Sequence, residues 1–123
     1  MERIFLTIGA VMGALGVGAG AFAAHGLKAR LTPDLMAVFE TGARYQLIHA
    51  LALLAVGLVM ARMPHPAVAA SGWLFIIGVV IFSGSLYLLA LTGVKWLGAI
   101  TPIGGLAMIA GWLSLAWGAF SWR

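Results

Sequence analysis

The chain of 123 residues has no cysteine, only three acidic residues and only 8% charged residues in all. Without cysteine there is no disulfide, no thiolate nucleophile and no Cys-ligated metal. A soluble domain carries about a quarter charged residues, so this chain has too little polar surface to coat a globule in water. The three histidines, His25, His49 and His65, show no close ligand spacing, and no metal or other cofactor is expected. No paired carboxylates and no nucleophile–base arrangement can be read either. An enzymatic role is therefore the minority reading, and no catalytic residue is assigned. Nucleic acid is excluded as a partner: the seven Lys and Arg are scattered singly through the connections, as is ordinary for a protein facing anionic lipid.

What the chain has instead is apolar length. Hydrophobic residues make up 63% of it, and its mean hydropathy is +1.11. Four apolar stretches cover residues 4–24, 46–61, 71–91 and 100–120, each near the roughly 17–25 residues that cross a bilayer as a helix. Continuous rather than alternating apolarity excludes a membrane barrel. The expected fold is all-α: a single four-helix transmembrane bundle with an interfacial amphipathic segment, residues 25–45, before the second span. Ala21-Phe22-Ala23 has the small-x-small form of a signal-peptidase site, but the apolar run before it exceeds the roughly 7–15 residues of a signal core. It reads as a retained first helix.

Helix one is built around glycine. Gly9, Gly13, Gly16 and Gly20 step by four, three and four, which places them on one face as a packing seam. Sparser heptad series recur in the other spans: Ala43, Ala50 and Gly57; Ser71, Gly78, Ser85 and Thr92; Gly104, Gly111 and Gly118. Thr32-Pro33-Asp34 is a helix start, with Thr as N-cap and Pro at the first helical position. A helix from there to Ala61 outruns the hydrocarbon core, and Gly42 is where it could bend. Trp73, Trp96 and Trp122 near span ends suit interfacial anchors. Four basic residues in connections one and three, against three elsewhere, lean toward a cytoplasmic location for those connections.

The polar residues gather toward the face bearing connections one and three. His25, Tyr45, Gln46, His49, Ser85, Tyr87 and Thr101 form the candidate polar site. His49 is the ionisable residue expected inside a span, and such residues are functional suspects. The favoured reading makes it neutral glue between helices, and the rival gives it a proton to handle. His25 reads as a cap on the C-terminal end of helix one. Glu40 and Arg44, at i and i+4, read as an interfacial ion pair, pointing about 180° around the helix from His49.

The stretches GAFAAHGL (20–27), RYQLIHALALL (44–54), FSGSLYLLALTG (82–93) and ITPIGGLAMIAGW (100–112) together resemble domain-of-unknown-function family 423. These are small four-helix membrane proteins that include bacterial YgdD-like proteins and a eukaryotic transmembrane relative. Ala24 stands where the family would more often have glycine. The resemblance implies a multi-pass protein of the bacterial inner membrane and brings no mechanism with it. The leading expectation is a non-enzymatic protein acting through lipid or protein contacts, as a homo-oligomer or with a membrane protein partner. The alternative is a small carrier or proton-coupled transporter using His49 and its neighbours.

Overall fold

The computed structural model describes residues 1–122. Four helices carry almost all of them: α1 Glu2–Phe22, α2 Pro33–Arg62, α3 Pro66–Thr92 and α4 Thr101–Ser121. Each helical stretch is long and apolar enough to cross a membrane. The 30 residues of α2 span about 45 Å at roughly 1.5 Å per residue, against a hydrocarbon core of about 30 Å. The first turns of α2 therefore stand in the interface or the helix tilts. The helix runs without interruption through Gly42.

Local chemistry sets the ends. α1 runs on through a π-helical turn, Ala23–Leu27. Thr32 opens α2, its hydroxyl accepting the Leu35 amide at 3.3 Å, with Pro33 at the first helical position. α3 opens differently: the N-cap is His65, whose ring Nδ1 accepts the Ala67 amide at 3.0 Å. It closes on Gly93 in the left-handed conformation (φ 73°), whose amide donates to Leu89. A side chain with a Cβ would strain that terminator. A 3₁₀ segment, Lys95–Ala99, then leads into α4.

The helices pack in chain order, α1 on α2, α2 on α3 and α3 on α4, while α1 and α4 form no seam with each other. The most apolar stretches of α2 and α3 are accordingly 44% and 39% buried, against 17% and 22% for the helical stretches containing α1 and α4. The main core gathers Phe5, Leu53, Val56, Val68 and Phe75, all fully buried. Phe5 reaches past α2 to lie against Gly72 of α3 and meets Trp73 edge-on at 5.4 Å. A smaller cluster of Ala23, Leu27, Phe39 and Ala90 closes the end bearing the first connection.

Without a hydrophobic drive between helices in lipid, close backbone approach supplies the packing. It is closest between α3 and α4. A Cβ on Gly104 would fall 2.4 Å from the backbone nitrogen of Phe82 and 2.8 Å from the Gly78 carbonyl, and one on Gly111 would fall 2.7 Å from the Phe75 ring. The α1 series is only partly a seam. Gly16 and Gly9 meet Leu47 and Leu54 of α2, Gly13 barely touches Ala50, and Gly20 has nothing within 4 Å. The contact between α1 and α2 opens locally at Gly20, which floors a cleft there, and closes again where Phe22 and Ala23 meet Phe39.

Candidate functional site

The interior polar residues do not form one site. Those of the candidate polar site that meet partners on other helices fall into three junctions.

The first joins α1, α2 and α3. Tyr87 donates its hydroxyl to Oε1 of Gln46 at 2.7 Å, and Nε2 of Gln46 donates to the Met12 carbonyl at 2.9 Å. The Tyr87 ring lies over Phe39, centroids 4.8 Å apart, and against Gly42, where a Cβ would come within 2.9 Å of it. Ser83 adds a hydroxyl bond of 2.7 Å to the Gly42 carbonyl. Gly42 is thus a docking point for α3 rather than a bend.

The second joins α2 and α4. His49 is buried, with Nδ1 2.8 Å from the Tyr45 carbonyl, and its Nε2 accepts the indole N–H of Trp112 at 3.0 Å. Phe75 packs edge-on against the imidazole at 5.4 Å and tilts against Trp112 at 4.9 Å. The Tyr45 ring is half-exposed and packs on Phe82. Beside this junction a cleft of about 320 Å³ opens between α2 and α4, lined by Tyr45, His49, Phe82, Met108 and Trp112 among others.

The third joins α3 and α4: Ser85 and Thr101 share a hydroxyl–hydroxyl bond of 2.6 Å. Thr32 and Thr101 both precede a proline, yet only Thr32 caps its helix. Thr101 is already inside α4, preceded by the 3₁₀ segment, and its hydroxyl serves the neighbouring helix.

Two expectations need correction. His25 is exposed on the π-helical turn, and among the described residues no hydrogen bond links it to either of the first two junctions. It lies nine residues, about 13 Å of helix, beyond Gly16, which packs beside Gln46 and Leu47. The Glu40–Arg44 ion pair is also not closed: no charged nitrogen and oxygen come within 4.0 Å among the described residues. Both side chains are exposed, and a solvated i, i+4 pair gains only a few tenths of a kcal/mol from contact. Instead they line, with Lys28, a cleft of about 510 Å³ between the end of α1 and the first half of α2.

Sequence reasoning missed Trp112, Ser83 and the capping role of His65. Trp112 and Ser83 lie in the quoted motifs, but only the folded contacts give each its partner. His65 also meets Ser121 of α4 at 3.3 Å. No group of three or more His, Asp or Glu placed to hold a metal occurs among the described residues.

Residues 19–105 match the family described as "Protein of unknown function (DUF423)". The UPF0382 membrane protein SH2409 of Staphylococcus haemolyticus is 50% identical over 113 residues, 92% of each chain. The UPF0382 membrane protein YwdK of Bacillus subtilis is 41% identical over 114 residues, 92% of this chain and 93% of its own. A UPF0382 membrane protein of Haemophilus influenzae is 44% identical over 121 residues, 98% of this chain and 96% of its own. No solved structure matches.

Proposed function

This chain belongs to the DUF423 family of small membrane proteins, and from that premise we propose that it works by contact rather than by catalysis, in the inner membrane of a bacterium. Its contacts are with lipid and with other membrane chains, copies of itself included. One observation carries this reading: among the described residues, no buried side-chain nitrogen or oxygen lacks a hydrogen-bond partner. Buried polar groups paired in this way tie helices together, the structural use of hydrogen bonding inside a membrane bundle. Here Gln46, His49, Ser83 and Ser85 are spent on holding helices together. The unpaired flanks of α1 and α4 add broad apolar surface for partners, with Leu15, Val17, Leu113 and Phe120 all more than 60% exposed.

The rival, a carrier working through His49, has one observation in its favour: the aromatic cleft beside that residue. It requires the Trp112 bond to open in each cycle. Two measurements on the full chain separate the readings. Native mass spectrometry from native-lipid nanodiscs should find an oligomer or a co-purifying chain with bound lipid. Proteoliposomes should show no proton or solute flux in wild type or His49→Ala. Flux that His49→Ala abolishes would overturn the contact reading, and so would lipid-free monomers alone.

A further inference from the structure

The cleft at the end of α1 has a small-residue floor, Gly20, Ala23 and Ala43, and a rim bearing Lys28, Glu40 and Arg44. A second cleft, of about 450 Å³, lies along the same two helices over Gly9, Gly13 and Ala50, and Leu47, packed against Gly16, stands between the two. From Gly9 to Phe22, the end of α1, is about 20 Å at roughly 1.5 Å per residue. That is ample for an acyl chain lying along the seam.

The depth of the charged rim can be counted. About 20 helical residues cross the hydrocarbon core, and counting back from Arg62, the end of α2, puts the other boundary near Gly42. Glu40 and Arg44 flank that level. At the edge of the hydrocarbon two cations and one carboxylate share a cleft, and no salt bridge within the chain satisfies any of them among the described residues. A simple anion would answer Lys28 and Arg44 and leave Glu40 facing like charge. A headgroup carrying both a phosphate and a primary ammonium answers all three.

We propose that this cleft binds a phospholipid with a phosphoethanolamine headgroup. Arg44 presents the planar fork that suits phosphate oxygens, Lys28 adds a second cation, Glu40 accepts from the ammonium, and an acyl chain lies over the small residues below. The inference rests on the contact reading above and names the lipid.

The test is native mass spectrometry of the full chain in mixed micelles containing equal amounts of phosphatidylethanolamine, phosphatidylcholine and phosphatidylglycerol. The ethanolamine lipid should be retained about tenfold over the choline lipid, whose trimethylated nitrogen has no N–H to donate; that is the size of one charge-assisted hydrogen bond. Glu40→Gln should erase that preference, and Arg44→Gln should lower retention of all three lipids by a similar factor. Ala24→Leu, which fills the cleft and leaves the charges alone, should also lower all three. Equal retention of the ethanolamine and choline lipids, a preference that survives Glu40→Gln, or preferred retention of phosphatidylglycerol would overturn the proposal. So would disulfide-linked dimers of Ala24→Cys in vesicles, which would put a second copy in the cleft. Absent lipid preference with an intact oligomer sinks this inference and spares the contact reading. His49-dependent flux overturns the contact reading itself, whatever lipid the cleft retains.

Discussion

Trp112 on α4 donates its indole N–H to Nε2 of His49 on α2, while Nδ1 of the same ring lies 2.8 Å from the Tyr45 carbonyl. An indole only donates and a carbonyl only accepts, so the two contacts coexist in one form of the ring: neutral, with its proton on Nδ1. Nitrogen-15 NMR of histidine-labelled protein in nanodiscs should show His49 as the Nδ1–H tautomer. An Nε2–H signal, or a doubly protonated ring at neutral pH, would refute the assignment.

Trp112→Phe keeps the aromatic packing on Phe75 and removes the donor. It should lower stability by about 1–3 kcal/mol, the cost of stranding a buried acceptor, read as a lower midpoint in denaturant titration. An unchanged midpoint would mean that the bond contributes nothing net.

Gly104 and Gly20 should respond oppositely to alanine. At Gly104 the new methyl meets the backbone of α3, which cannot rotate away, so Gly104→Ala should cost about 1–3 kcal/mol or prevent folding. At Gly20 nothing lies within 4 Å, and Gly20→Ala should be neutral or stabilising by up to about 1 kcal/mol. Thermal melts of the two variants in one detergent check the contrast.

Tyr87 and Gln46 should behave as a coupled pair. Tyr87→Phe and Gln46→Leu each break the bond between them, with single costs of about 1 kcal/mol or more. The double variant should cost less than the sum of the singles, by at least about 0.5 kcal/mol. Strict additivity would show that the bond is absent in the membrane.

His65 should be replaceable by a shorter cap. His65→Asn keeps an N-cap acceptor and should hold stability, whereas His65→Ala should lose about 1 kcal/mol. Amide exchange at Ala67 reports the cap directly and should accelerate in the alanine variant only.

The helices were legible because membrane spans announce themselves by apolar length, and Thr32-Pro33 marked one helix start by its own chemistry. The glycine series was legible as a pattern but not as a set of contacts. Gly9 and Gly20 look alike along the chain, and only the local gap between α1 and α2 at Gly20 separates a packed position from an open one. The polar residues were found as a group for a related reason. Their types and depths can be read from sequence, while the pairing of His49 with Trp112 depends on how α4 sits against α2. Helical spacing by itself makes partners of Glu40 and Arg44. Spacing carries no information about a cleft opening beside them from another helix.

The pairing of each helix with its neighbours in sequence bears on how the protein is made. A chain that packs α1 on α2, α2 on α3 and α3 on α4 can complete each interface as the next span enters the bilayer, without holding an early helix open for a late one. Such local pairings favour fast assembly. Only a few long-reaching side chains, Phe5 into Gly72 and Trp112 onto His49, must wait for a helix two places away. Split between α2 and α3, the protein should yield two helical hairpins that find each other in the membrane, with these two contacts as the last to lock.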